Sequence, residues 1–109
     1  MAIPRRYRDY LISRADGQMM ATIDIDLCVV IYPLPDWEDI ERKLMRLPSL
    51  NPHTRRLTGL MLGHARDIEM DGHGRVLIPG ELRDVAGLQK QAMLIGQGNR
   101  FELWDEERW

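Results

Sequence analysis

Asp71-Gly72-His73-Gly74-Arg75-Val76-Leu77-Ile78-Pro79-Gly80-Glu81-Leu82-Arg83 is the stretch on which the reading of this chain turns. Asp71, Gly72 and Gly74 have the composition of a tight turn, because an aspartate side chain bonds nearby amides and glycine accepts positive φ without steric cost. Ile68 and Met70 alternate with Glu69 before the turn, and Val76 and Ile78 alternate with Leu77 after it. That period of two predicts a β-hairpin, which Pro79 ends. The second half of the stretch recurs at the start of the chain. Ile3-Pro4-Arg5-Arg6-Tyr7-Arg8-Asp9 matches Ile78-Pro79-Gly80-Glu81-Leu82-Arg83-Asp84 at a constant offset.

The likeness between the two parts continues downstream. Each Ile-Pro block leads into a short helical pattern and then an apolar run, Met19 to Ile23 in the first copy and Ala92 to Ile95 in the second. Each copy closes on an aromatic pair of equal spacing, Tyr32 with Trp37 and Trp104 with Trp109. Solenoid units repeat every 20–50 residues or so, and this period is longer. Duplication of a small β-rich half-domain accounts for it.

Between the copies the periodicity changes from 2 to that of a helix. Residues 4–12 read as a short helix with Tyr7, Leu11 and Ile12 turned inward. Met19–Ile25 and Cys28–Tyr32 read as strands joined at Asp24–Asp26, the second ended by Pro33 and Pro35. From Asp36, Trp37, Ile40, Leu44 and Leu47 share one helical face, and Pro48 closes that helix. Asn51-Pro52 supplies an N-cap and a first-turn proline for a second helix, with Leu57, Leu60 and Met61 as its apolar stripe. Glu81–Ala86 is expected to be a short helix stopped by Gly87. A closing hairpin, Ala92–Ile95 and Arg100–Trp104, turns at Gly96–Asn99. The expected organisation is an incomplete first repeat over 1–36, a helical hairpin over 37–63 and a second repeat over 64–108.

Composition narrows the function. A chain of 109 residues, 44% hydrophobic and 29% charged, is one soluble globular domain. No apolar run approaches the roughly 20 residues that span a bilayer, and no signal-peptide pattern opens the chain. A single cysteine, Cys28, makes no internal disulfide and fits a reducing cytoplasm. The net charge of −2 opposes phosphate binding, but the charge is unevenly distributed. No acid lies between Glu41 and Asp67, an interval holding Arg42, Lys43, Arg46, Arg55, Arg56 and Arg66. Arg5, Arg6, Arg8 and Arg14 form another basic cluster, and arginine outnumbers lysine 13 to 2. The guanidinium fork suits bidentate contacts to phosphate and guanine. The central arginines have a second reading, as solvated helix faces or subunit contacts: acids at a helix start and bases at its end are what the helix dipole favours in any protein.

Catalysis finds little support. His53, His64 and His73 have no metal-ligand spacing, and no glycine-rich nucleotide loop is present. Asp24 with Asp26 and Asp36 with Asp39 are explained as turn and helix-start residues. Neither a metal nor a cofactor is expected, nor a small-molecule substrate. In the Asp71–Arg75 turn, Asp71 caps the turn amides and Arg75 leaves on the face shared with Leu77. A basic side chain beside a glycine turn suits a phosphate or a base edge.

The whole constellation Asp71-x-x-Gly74-Arg75-x-x-x-Pro79-x-x-Leu82-Arg83 resembles the signature of SpoVT-AbrB DNA-binding domains, which are swapped-hairpin β-barrels. Two copies around a helical hairpin resemble the MraZ family of bacterial transcriptional regulators of the division and cell-wall gene cluster. Pro4-x-x-Tyr7-Arg8, Thr22-Ile23-Asp24, Tyr32-Pro33-Leu34-Pro35-x-Trp37, Leu62-Gly63-His64-Ala65 and Phe101-Glu102-Leu103-Trp104 carry the likeness further. The resemblance implies an α+β fold in which both copies form one pseudo-symmetric barrel with an inserted helix pair. It implies a non-enzymatic repressor that assembles into a ring-shaped homo-oligomer. Such a regulator binds short direct repeats of double-stranded DNA in its own promoter, in the cytoplasm at the nucleoid. It also implies that Arg75 reads DNA with His73 and Gly74 beside it, that Asp71, Gly72 and Pro79 shape the turn, and that Arg8 and Arg83 are structural or at a subunit contact. Arg5 and Arg6 are expected at phosphates.

The family's first copy begins with its own strand and Asp-x-x-Gly-Arg turn, and no such residues precede Met1. The chain is therefore expected to be truncated at its N-terminus, and its C-terminal helix shortened. Two alternatives follow from the same residues. One is a shortened assembly subunit without full DNA binding, which would co-assemble with a full-length partner. The other is an antitoxin-like regulator, whose kind usually carries one copy and a toxin-binding tail.

Overall fold

A computed structural model describes residues 1–47, 50–88, 92–98 and 100–107. The fold is α+β: four helices and a five-stranded antiparallel sheet of strand order β3-β1-β2-β5-β4. The elements in chain order are α1 (Arg5–Ala15), β1 (Gln18–Ile23), β2 (Val29–Pro33), α2 (Leu34–Arg46), α3 (Pro52–Gly63), β3 (Arg66–Glu69), α4 (Gly80–Ala86), β4 (Ala92–Gln97) and β5 (Arg100–Asp105). Among the described residues the strands make an open sheet, with β3 and β4 at its two edges.

β2 lies near the middle of the sheet and is buried along its length. A strand covered on both faces needs apolar residues at every position, and Val29-Val30-Ile31-Tyr32 is such a run. Val29 and Ile31 enter a core with Leu11 of α1, Leu82 and Ala86 of α4, and Val76 and Ile78. Val30 and Tyr32 face the other way, toward Trp37 and Leu44 of α2 and Met61 of α3. α1, α4 and the 71–78 segment thus pack chiefly on one side of the sheet and the α2–α3 pair chiefly on the other, with Leu60 of α3 reaching the first core and Arg14 of α1 paired with Asp36 of α2. Thr22 fastens the second side, its hydroxyl donating to the Met61 carbonyl at 2.6 Å.

Several boundaries differ from expectation for physical reasons. α1 continues past Ile12 to Ala15, and Ile12 is 54% exposed rather than packed inward. Its last turn carries Ile12-Ser13-Arg14 and has little apolar periodicity, so the pattern fades before the helix does. Asp16 in the left-handed region then stops it. Pro35 does not end β2; it sits in the first turn of α2, where a missing N–H costs nothing. Leu47 is exposed just beyond that helix. Asn51 caps α3 as expected, its side-chain oxygen accepting from the amides of His53 and Thr54. The stop assigned to Pro48, the turn residue Asn99 and the aromatic Trp109 lie outside the described residues.

The main correction concerns the hairpin on either side of Asp71–Arg75. The turn closes, with the Asp71 amide donating to the Arg75 carbonyl at 2.9 Å, but its arms then part. β3 pairs with β1, Ile68 opposite Met19, and the Met70 amide donates to the Gly17 carbonyl. The other arm stays extended without joining the sheet. Arg75 bridges Ala2, and Met1 and Val76 exchange two backbone bonds of 2.8 Å. Each arm thus takes its partner from the N-terminal part of the chain, a choice that alternation alone does not specify.

Candidate nucleic-acid interface

The turn at 71–75 is organised by Asp71. Its Oδ1 accepts the amides of His73 at 2.8 Å and Arg75 at 2.9 Å, while its carbonyl accepts the Gly74 amide at 3.0 Å. The amides of Arg75 and His73 hold the Asp71 carboxyl below the ordinary aspartate range. Gly74 takes φ +75°, and its carbonyl receives the Ile3 amide at 2.8 Å.

Arg8 of α1 closes over this turn. A Cβ placed on Gly74 would lie 2.2 Å from Arg8 Nε, and the same nitrogen donates to the Ile3 carbonyl at 2.7 Å. The backbone angle favours glycine at 74, and any larger residue there would also have to displace the Arg8 guanidinium. Val76 and Ile78 are buried, which turns Arg75 and Leu77 to solvent on the opposite face. His73 is exposed as well. Among the described residues no hydrogen bond or ion pair engages the Arg75 guanidinium.

The turn is joined to the start of α1 through Ala2, opposite Arg75, and Ile3. α1 begins at Arg5 with no side-chain cap and no acid in its first turn. Arg5 and Arg6 are exposed there, Arg6 lying 4.8 Å over the Tyr7 ring. Two cations at the positive end of a helix dipole are unfavourable for the helix alone and favourable for an anion. The structure thus brings Arg75, His73, Gly74, Arg5 and Arg6 to one neighbourhood of the chain, with Asp71 organising the turn and Pro79 capping α4; of the two turn glycines only Gly74 takes positive φ, and Gly72, with open space around it, is not held to glycine.

Other arginines are already occupied. Arg14 pairs with Asp36 at 3.0 Å, Arg42 with Asp39, and Arg66 makes a bidentate contact with Glu81. Of the central basic run, Arg42 and Arg66 are thus paired with carboxylates, while Lys43, Arg46, Arg55 and Arg56 are exposed. Among the described residues no three His, Cys, Asp or Glu side chains gather closely enough to hold a metal ion. No described helix is long and apolar enough to cross a membrane.

One polar cluster escaped the reading of the sequence. Arg100 reaches Glu102 at 2.5 Å, Tyr32 Oη at 3.3 Å and Asp24 at 3.4 Å, and the Trp104 indole donates to Glu102 at 3.0 Å. Burial alone would lower the Arg100 pKa, but bonds to Tyr32 and Glu102 outweigh it and raise it. The Cys28 thiol donates to Asp24, and burial together with that carboxylate pushes its pKa far up, away from thiolate reactivity. The available signal was the alternation Arg100, Glu102, Trp104 on one face of a strand. Glu102 is buried within this network.

A family model described as "MraZ protein, putative antitoxin-like" matches the chain twice, over residues 1–59 and 61–109. A protein of Pseudomonas aeruginosa named Transcriptional regulator MraZ is 57% identical over 110 residues, covering all of this chain and 73% of that protein. Proteins of the same name from Halorhodospira halophila and Yersinia pestis are each 56% identical and are covered to 72%. With the family model matched along both parts and relatives above half identity over its whole length, this chain belongs to the MraZ family.

Proposed function

We propose that this protein is a transcriptional regulator that binds double-stranded DNA through the 71–75 turn. The observation that carries this reading is the pairing pattern of its arginines. Arg75 is exposed and unengaged on a turn held rigid by Asp71, whereas Arg14, Arg42 and Arg66 are neutralised by neighbouring carboxylates. In the proposed complex Arg75 contacts base edges, His73 stands beside it, and Gly74, buried beneath Arg8, sets the bend that presents them. Arg5 and Arg6, with the free amides opening α1, take adjacent phosphates. The names carried by the relatives support a regulator rather than an enzyme.

One turn offers few contacts, so useful affinity requires several subunits on repeated sites. The proposal therefore includes a homo-oligomer, taken as a ring, on short direct repeats of its own promoter, repressing the division and cell-wall cluster from the cytoplasm at the nucleoid. It includes the assignment of 1–36 and 64–108 as SpoVT-AbrB repeats around a 37–63 helical hairpin. The parting of the two arms of the 71–75 turn supports a swapped-hairpin arrangement. No cofactor enters this mechanism.

The test is fluorescence anisotropy of the protein with duplexes carrying its upstream direct repeats and with scrambled duplexes, at two salt concentrations. Selective binding that weakens with salt is the expected outcome. Equal affinity for both duplexes, or none, would overturn the proposal.

A further inference from the structure

The two arms of the 71–75 turn diverge, one forming β3 in the sheet and the other staying outside it. Beyond Val76 the outer arm joins no strand among the described residues, and α4 begins at Gly80 without a side-chain cap. One side-chain contact brings the arms together again at their base. Arg66, the first residue of β3, places a guanidinium nitrogen 3.1 and 2.9 Å from the two carboxylate oxygens of Glu81, the acid in the first turn of α4. The contact spans 15 positions of chain, and the Asp71–Arg75 turn lies midway round the loop it closes.

The same guanidinium is anchored from behind. Its other terminal nitrogen donates to the Ala65 carbonyl at 2.8 Å and to the Gly63 carbonyl, at the end of α3, at 3.4 Å. α3 has no basic residue in its last turn, so Arg66 supplies the cation that the negative end of a helix favours. Its backbone meanwhile pairs with β1, opposite Ala21. One residue thus joins the end of α3, the sheet and the start of α4. The Arg42–Asp39 pair differs, because its members lie three apart on a single helix and tie no two elements together.

A planar fork already held by two backbone carbonyls loses little further freedom when it meets a carboxylate. Closing a loop, in turn, restricts every residue within it. Reading a base edge needs that restriction, since a recognition group must be held to within about 0.5 Å of its working position. Phosphate contacts carry no sequence information and do not depend on it in the same way.

We propose that Arg66 and Glu81 are positioning residues for DNA reading: their ion pair closes the base of the recognition loop and sets the direction in which Arg75 leaves it. Neither side chain touches DNA in this arrangement. The inference rests on the reading of 71–75 as the DNA-binding turn, so its first measurement is made without DNA.

The full chain is compared with Glu81→Gln and Arg66→Ala, and with Arg42→Ala as a control that removes an exposed pair elsewhere. Amide exchange at His73 and Arg75, both held by Asp71, reports the order of the turn. An exposed pair shifts a local equilibrium about two- to fivefold, and exchange at these amides should quicken by that factor in the first two variants. It should stay unchanged in Arg42→Ala, with β2 protected throughout. Added salt should quicken the same amides in the wild type and not in Glu81→Gln, because salt screens exposed charges. With DNA, Glu81→Gln should bind the direct-repeat duplex about two- to fivefold more weakly per subunit and the scrambled duplex as before. Unchanged exchange at both amides would overturn the proposal, and so would an equal loss on the two duplexes. Quickened exchange in a protein whose wild type does not discriminate the duplexes would leave the loop closure standing and remove the DNA reading, and the positioning role with it. A wild type and a Glu81→Gln variant that discriminate equally well would remove the positioning role alone.

Discussion

Met1 and Val76 exchange both of their backbone hydrogen bonds, each 2.8 Å long, across 75 residues of chain. This reciprocal pair fixes the height at which Ala2 faces Arg75 and Ile3 meets the Gly74 carbonyl. The geometry of the exposed turn therefore depends on a contact between the two halves of the molecule. The Arg75 guanidinium, in contrast to the Asp71 carboxylate, makes no hydrogen bond or ion pair that holds the turn among the described residues.

Arg75→Ala is accordingly expected to separate recognition from stability. Each lost bidentate base contact should cost about 1–3 kcal/mol of discrimination between specific and scrambled duplexes. The midpoint of thermal unfolding should stay where it is, since the guanidinium is exposed and the backbone bonds to Asp71 and Ala2 persist. Unchanged discrimination in anisotropy titrations would remove Arg75 from the interface.

Arg5→Ala and Arg6→Ala should behave differently. Phosphate contacts add affinity without reading sequence, so both duplexes should weaken together. The slope of log K against log salt should become shallower by about 0.9 per lost contact. A change confined to the specific duplex would mean that these side chains read bases.

Gly74→Ala is predicted to destabilise the fold by about 1–3 kcal/mol, the range for a strained backbone conformation. Two sources contribute, the φ of +75° and the approach of Arg8 Nε to the new Cβ. Combining it with Arg8→Ala distinguishes them in urea unfolding. The double variant should be less destabilised than the sum of the single ones, because the collision disappears while the backbone strain remains. Strict additivity would mean that Arg8 moves aside freely.

The carboxyl of Asp71 gives a pH dependence with a definite sign. Its folded pKa is held low by the amides of Arg75 and His73, so its contribution is fully present above the unfolded value of about 3.9. The contribution is lost as pH falls through the lower folded value. Wild type should therefore exceed Asp71→Asn in stability at neutral pH, with the gap closing only in strongly acidic solution. Paired urea titrations along a pH series would measure it, and a gap that widened on acidification would contradict the assignment.

The sequence made the turn and its surroundings legible because local chemistry governs them. Asp71 had amides within reach, Gly74 and Gly87 stood where positive φ was needed, and Asn51-Pro52 opened a helix. The alternation of Val76, Leu77 and Ile78 correctly separated the buried from the exposed face. Strand pairing was less accessible, because Met70 reaching Gly17 and Val76 reaching Met1 are long-range choices that alternation does not encode. The Arg100 network was missed for a related reason: Asp24 and Tyr32 are distant in sequence from Arg100 and Glu102, and only the fold brings them together.

The α2–α3 pair packs mainly through Trp37, Leu44 and Met61 into one core, whereas Met70 and Val76, on either side of the 71–75 turn, belong to the other. Leu50, in the connection between those helices, is 91% exposed. A reporter inserted at that connection should leave the turn's geometry intact, since exposed loop tips accept insertions most readily. The molecule can thus carry a fluorescent or affinity handle on one side while the other remains available for titration with DNA.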